Sequence, residues 1–238
     1  MLSRAVFWAA AIGLAALAAP ARGAIPLANG QSVRLSDVLA TGDHGVVIND
    51  KLFTFNSFNS SQFPSTAIFI SGYIAANPLD GVGFDITGGF GDINPGDATI
   101  SAFNISYSVE VTNPNLGLGY RIKDMALVFN GAASGVGSFS RVTETVSDPF
   151  GAPGNTVGSL TTTVMPGGPT AQQAFQDFSP AVYGKLDVSK NVQFFAAGVG
   201  DFASASFIRQ TFSQRIIPGP GSAALFGVGA VLLGRRRR

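Results

Sequence analysis

The segment ISAFNISYSVEVT, residues 100–112, alternates apolar and polar side chains. The apolar series is Phe103, Ile105, Tyr107, Val109 and Val111, and the residues between them are Asn, Ser and Glu. A period of two places one series in a core and the other in water. This is the pattern of an antiparallel sheet with one solvated face, so the chain is expected to build a layered β fold.

Further strand candidates follow at short intervals, separated by turns rich in Gly, Pro, Asn and Ser. They cover residues 33–39, 51–58, 66–75, 82–87, 120–131, 137–147, 157–164, 182–189, 191–198 and 205–214. Residues 112–119 and 147–156 are predicted to be loops, and residues 170–180 could form a helical turn. About ten short strands predict an all-β chain with a single antiparallel β-sandwich, jelly-roll-like or Ig-like.

One of these strands carries an irregularity. Between Ile122 and Met125 the apolar residues change phase. Since an extra residue on one strand moves the following side chains to the other face, we expect a β-bulge near Lys123 and Asp124.

The first 21 residues are predicted to be a secretory signal peptide. Arg4 precedes an uncharged apolar run over residues 5–19, and small residues at Ala19 and Ala21 fit a cleavage site after Ala21. An uncleaved N-terminal anchor is the alternative, although a helix of this length reaches only ~22 Å against a hydrocarbon core of ~30 Å.

Residues 216–238 are predicted to form a second targeting segment with three parts. Pro218, Gly219 and Pro220 precede an apolar stretch, residues 222–234, and the chain closes with Arg235, Arg236, Arg237 and Arg238. As a helix from Ile216 to Gly234 the segment would span ~28 Å, just enough to cross a bilayer. The arginines favour the cytoplasmic side, which predicts an N-out, C-in stop-transfer helix. Apolar helices are thus expected on both sides of a sandwich domain over residues 22–215.

Charge and composition exclude several functions. Removing residues 1–21 and 218–238 takes away five of the fifteen basic residues, so ten face all fourteen acidic ones and the net charge becomes −4. A mildly acidic domain without a basic cluster is not expected to bind nucleic acid. Cys is absent, which excludes a disulfide scaffold and a thiol nucleophile.

Little in the sequence indicates catalysis or a cofactor. His44 is the only histidine, so a zinc site of the usual ligands cannot be assembled, and no GxSxG nucleophile elbow occurs. We therefore predict no enzymatic activity and no cofactor, and leave open a hydrolase that uses paired carboxylates. Asp92, Asn94 and Asp97 are a candidate Ca²⁺ site, and an Asx-rich turn explains them equally well.

The three-part tail resembles the PEP-CTERM sorting signal of bacterial proteins associated with exopolysaccharide. Pro218 and Pro220 match its two prolines, and Gly219 stands where the family has Glu. The resemblance implies processing near this motif by an integral-membrane exosortase and delivery to the cell surface. The middle of the chain also resembles a passenger type of this family that opens with GDK-F--F. The matching segments are NDKLFTFNSF (49–58), ISYSVEV (105–111), IKDMALVFNG (122–131), LDVSKNV (186–192) and IRQTFSQ (208–214).

Together these features predict an exported bacterial protein of the cell surface or exopolysaccharide matrix, with unknown molecular activity. Its expected partners are the Sec translocon, signal peptidase, an exosortase-like protease or transpeptidase and extracellular polysaccharide. One alternative is a carbohydrate-binding module, for which Tyr73, Tyr107, Tyr120 and Tyr183 are the available aromatic platforms, with Tyr107 in the phase of a core residue. Another is a permanently anchored envelope protein.

Overall fold

A computed structural model describes residues 23–60, 62–92, 94–152 and 155–217. Most of these residues are in strands, which form two sheets. In chain order the strands are β1 (Ile25–Pro26), β2 (Ser32–Arg34), β3 (Gly45–Ile48), β4 (Lys51–Asn59), β5 (Phe69–Ile74), β6 (Val82–Gly91), β7 (Ser101–Val111), β8 (Tyr120–Ala133), β9 (Phe139–Ser147), β10 (Thr156–Val164), β11 (Ala171–Asp177), β12 (Lys185–Phe195) and β13 (Ala203–Ile216).

The two sheets pack face to face around one core. The first has the order β1-β3-β4-β7-β12-β9-β10, and the second has the order β11-β8-β13-β6-β5-β2. Neighbouring strands are antiparallel, apart from the short parallel pair β1 and β3. The core contains many aromatic side chains, with Phe53, Phe84 and Tyr107 fully buried at its centre. The prediction of an all-β sandwich is confirmed.

Short helices connect some of the strands. They are α1 (Leu35–Ala40), α2 (Asn113–Gly117) and a 3₁₀ turn (Ser65–Ala67). No helix in the described ranges is both long enough and apolar enough to cross a membrane. The predicted apolar helices at the two ends lie outside the described residues.

The predicted strand over 33–39 is wrong for most of its length, because only its first two residues belong to β2 and the rest form α1. Leu35 and Val38 are both buried. They are three residues apart, so one face of a helix delivers both to the core, whereas a strand would point them in opposite directions.

The helical turn considered for residues 170–180 is also wrong. All seven residues of β11 pair with β8 at the edge of the second sheet, from Ala171 opposite Asn130 to Asp177 opposite Asp124. The strands predicted at 182–189 and 191–198 are one continuous strand, β12. Lys190, at the predicted break, pairs with Ile105 and Glu144 on the two neighbouring strands.

The predicted bulge is present in β8. Asp124 lies opposite Ser213 and Ile122 lies opposite Gln214, which leaves Lys123 as an extra residue on β8. The backbone carbonyl of Lys123 accepts a hydrogen bond from the N–H of Phe178. The bulge turns Ile122 into the core and leaves Asp124 on the opposite face.

Candidate functional site

The outward face of the second sheet carries a groove with an aromatic ring at each end. Residues opposite one another on adjacent antiparallel strands share a face. One such row runs Tyr73, Gly83, Thr211, Ala126, Phe175 across β5, β6, β13, β8 and β11. The three middle residues are small and form a floor, and the row spans four strand spacings, about 19 Å. We call this feature the Tyr73–Phe175 groove.

A rigid ion pair borders the groove at the next row. Arg209 donates from Nε and Nη2 to the two carboxylate oxygens of Asp85, at 2.7 and 2.9 Å. These hydrogen bonds raise the pKa of the Arg209 guanidinium, which therefore stays charged. The guanidinium carbon also lies 3.8 Å from the centroid of the Tyr73 ring. The planar guanidinium group of Arg209 thus packs against the Tyr73 ring and holds it in place by a cation–π contact.

The far end of the groove is open to solvent. The Phe175 ring is 59% exposed, and Gln173 is exposed beside it on the same edge strand. Asp80 and Asp124 complete the lining on the side away from Arg209, and the groove encloses about 290 Å³. Asp80 accepts a hydrogen bond from Asn77, and Asp124 lies 3.6 Å from the Lys123 ammonium.

This arrangement suits a flat ligand with an apolar face and hydroxyl groups. Exposed aromatic rings bind apolar ring faces, while a fixed guanidinium offers donors in defined directions. Carboxylates accept hydrogen bonds from hydroxyls. Pockets that combine apolar surface with a few fixed polar groups are typical of small-molecule and oligomer recognition.

The outward face of the first sheet differs in character. Its rows consist mainly of hydroxyl and amide side chains that bond to each other across strands. Ser57 and Ser106 are joined by a 2.6 Å hydrogen bond between their hydroxyls, and Asn191 donates to Asn104 at 2.7 Å. These hydrogen bonds occupy polar groups that would otherwise be available to a ligand.

Several of the segments quoted for the passenger-type resemblance place polar residues inside the sandwich. In the first cluster, the Lys51 ammonium donates to Asp50 at 3.1 Å and to the Gln214 side-chain carbonyl at 3.3 Å. The Gln214 amide then donates to the second oxygen of Asp50 at 2.6 Å. Lys51 and Asp50 come from the turn and start of β4, and Gln214 comes from β13, so this cluster joins the two sheets.

A second buried cluster also combines a lysine, an acidic residue and a glutamine. Lys190 on β12 donates to Glu144 on β9 and, at 2.9 Å, to the side-chain carbonyl of Gln210 on β13. Burial lowers the pKa of Lys190 and raises the pKa of Glu144, since each loses the hydration of its charged form. Tyr107 lies close by, and burial together with the Glu144 charge raises its pKa. Neither cluster was predicted from the sequence, although a Lys at a core position of an alternating strand is a detectable anomaly.

The candidate calcium ligands lie in the connection between β6 and β7. Asp92 accepts hydrogen bonds from the Asn94 and Ala196 backbone N–H groups and from the Ser101 hydroxyl. Asp97 accepts from the Thr99 N–H at 2.7 Å. In the described ranges no group of three or more His, Asp or Glu side chains is placed to hold a metal ion. The arrangement around Asp92 and Asp97 is that of an Asx-rich turn.

The remaining predicted residues are scattered. His44 lies in the turn before β3 with a left-handed backbone, φ 47°. Of the tyrosines, Tyr107 is fully buried, Tyr183 packs edge-on against Phe178, and only Tyr73 lies in the groove. Tyr120 is partly buried. The residues predicted for cleavage and sorting lie outside the described residues: Ala19, Ala21, Pro218, Gly219, Pro220, Arg235, Arg236, Arg237 and Arg238.

Comparison with known proteins gives weak structural likenesses. No protein-family model and no curated protein matches the chain. Among solved structures, it is similar to TmCBM61 in complex with β-1,4-galactotriose, with 14% identity, a TM-score of 0.32, and coverage of 66% of this chain and 88% of that one. It is also similar to the carbohydrate-binding module TmCBM27, studied for mannan recognition, with 9% identity, a TM-score of 0.29, and coverage of 76% and 95%.

Proposed function

We propose that this chain is a non-catalytic, exported bacterial protein of the cell surface or exopolysaccharide matrix, and that it binds polysaccharide in the Tyr73–Phe175 groove. The observation that carries the proposal is the row of small residues between two aromatic rings, bordered by the Asp85–Arg209 pair. The partly buried ring of Tyr73, held by Arg209, and the exposed ring of Phe175 supply apolar surface at the two ends.

The length and polarity of the groove favour an oligosaccharide over other ligands. The row from Tyr73 to Phe175 is about 19 Å long, more than a single sugar ring needs. Positive and negative groups are both present in the lining, so the groove does not select a polyanion. A neutral or weakly charged chain with many hydroxyls fits this mixture of donors, acceptors and rings.

The proposal for export rests on the two ends of the sequence. The Sec translocon would export the chain and signal peptidase would cleave it near Ala19 and Ala21. The C-terminal helix would hold the chain in the inner membrane, N-out and C-in. An exosortase-like enzyme would then cut near Pro218, Gly219 and Pro220 and release the domain to the surface or matrix. A permanent anchor is the alternative, and a mature chain that ends at Arg238 by mass spectrometry would favour it.

Binding to immobilised polysaccharides tests the groove directly. We expect the full chain to be retained by at least one polysaccharide, ideally the exopolysaccharide of its own host. Phe175→Ala and Tyr73→Ala should each weaken binding by about 2 kcal/mol, roughly 30-fold, as removal of a central aromatic contact does. Phe150→Ala is the matched control, because Phe150 is 81% exposed in the loop between β9 and β10, away from the groove.

Two results would contradict the proposal. Equal binding by Phe175→Ala, Tyr73→Ala and Phe150→Ala would place recognition elsewhere on the molecule. Release of new reducing ends from the bound polysaccharide, abolished by Asp80→Asn or Asp124→Asn, would make the protein an enzyme, since these two carboxylates line the groove.

A further inference from the structure

The Lys190–Glu144–Gln210 cluster has the components of an amide-forming site. An amine, a carboxyl group and a carboxamide meet in the core, and the side chains of Lys190 and Glu144 are fully buried. Gln210 is fully buried as well. Polysaccharide binding in the groove makes no use of any of the three. We propose that Lys190 and Gln210 form an intramolecular isopeptide bond, with Glu144 transferring the protons.

The geometry places the amine at the carboxamide. Lys190 Nζ lies 2.9 Å from Gln210 Oε1. Gln210 Nε2 donates to the backbone carbonyl of Ala126 at 3.2 Å, which fixes the orientation of the amide plane. Glu144 lies directly opposite Lys190 on the adjacent strand, so both side chains point to the same place. Groups held in this way react as if at effective concentrations on the order of 10⁵ M or more.

The surroundings favour uncharged groups. The cross-strand neighbours of the cluster are apolar: Ile105 lies beside Lys190, Leu160 beside Glu144, and Leu127 beside Gln210. Burial lowers the pKa of Lys190 and raises the pKa of Glu144, which brings their proton affinities closer together and makes the neutral pair more accessible than in water. One carboxyl oxygen of Glu144, Oε1, has no hydrogen-bond partner among the described residues and can carry the proton. A desolvated neutral lysine is an effective nucleophile.

The reaction balances without any further reagent. The Lys190 Nζ lone pair attacks Gln210 Cδ, and the C=O electrons move to Oε1. Glu144 donates its proton to Nε2 and takes one from Nζ. The carbonyl re-forms, the Cδ–Nε2 bond breaks, and ammonia leaves. The product is a neutral amide that links β12 to β13, and therefore one sheet to the other.

The intact mass of the full chain tests this proposal without any mutation. We expect the chain, made by cell-free translation and folded, to weigh less than its sequence by about 17 Da, the mass of one ammonia. Chymotrypsin cuts after Phe207 and Phe212, so Gln210 lies inside its peptide and cannot cyclise at a new N-terminus. Fragmentation should then show the peptide of Lys190 joined to the peptide of Gln210. A full-mass chain with these two peptides free would overturn the proposal.

Two variants and an internal control sharpen the test. Lys190→Arg keeps a buried cation and cannot form the link, so its chain should show no mass loss. Glu144→Gln should lose the link as well, and a link that persists in it would overturn the role given to Glu144. The Lys51, Asp50 and Gln214 cluster supplies the control, because Asp50 accepts hydrogen bonds on both oxygens and Lys51 Nζ lies 3.3 Å from Gln214 Oε1. Its peptides should stay free, and a link at Lys51 with Lys190 unlinked would contradict the assignment.

Discussion

Asn49 has a left-handed backbone conformation, φ 54°, in the two-residue turn between β3 and β4. The passenger type that this chain resembles has Gly at the same place. Gly and Asn are the residues that most readily adopt a positive φ. The backbone conformation of this turn therefore explains both the Asn in this chain and the Gly in the resembled motif. The turn also positions Asp50 and Lys51, which enter the buried cluster with Gln214 immediately after it. Folding therefore explains the residues of this motif.

Substitution of Asn49 tests this explanation. We expect Asn49→Ala to lower the free energy of unfolding by about 1 kcal/mol, since Ala keeps the Cβ strain at positive φ but lacks the short polar side chain that helps Asn to tolerate it. Asn49→Gly removes the same side chain without that strain and should stay within about 0.5 kcal/mol of the native chain. Urea denaturation followed by circular dichroism measures both. Equal losses for the two variants would show that the Asn49 side chain, and not its backbone conformation, stabilises the turn.

At the level of secondary structure, strands that alternate clearly between apolar and polar residues were predictable from the sequence. Strands that form only because they pair with a neighbouring strand were not. β7 has its predicted faces, and the change of phase at Ile122 correctly located the bulge. β11 was missed, because its sequence QQAFQD is polar and becomes a strand only by pairing with β8 along its whole length. The groove could not be predicted either, since it brings together five strands that are distant in sequence.

Two single-residue deletions in β8 test whether the bulge residue is dispensable and whether the register of the rest of the strand is required for folding. Deleting Lys123 should leave the fold intact and cost about 1 kcal/mol, because Ile122 and Asp124 already face opposite sides and the losses are the hydrogen bond from Phe178 and the partly exposed Lys123–Asp124 ion pair. Deleting Ala126 should abolish cooperative unfolding. Met125 and Leu127, both fully buried, would become adjacent, and one of them would have to face solvent. Similar denaturation midpoints for the two deletions would contradict this reading of the bulge.

The whole molecule is stabilised by one core that both sheets share, and it has no disulfide to help. Phe84 lies at the centre of this core. Its ring contacts Phe53 and Tyr107 edge-on, each at 5.1 Å between centroids, and these residues belong to the opposite sheet. The two buried Lys–acid–Gln clusters also cross from sheet to sheet through Gln210 and Gln214. The sheets are therefore expected to unfold together.

Phe84→Ala tests this single core. We expect it to lower the free energy of unfolding by about 3 to 5 kcal/mol, the usual cost of removing a buried phenylalanine side chain. Phe150→Ala, at an exposed position, should change it by less than about 0.5 kcal/mol. Thermal unfolding followed at once by calorimetry and by tyrosine fluorescence should give one coincident transition in all three proteins. Two separate transitions in the native chain would mean that each sheet is stabilised by its own contacts, and Phe84→Ala would then shift only one of them.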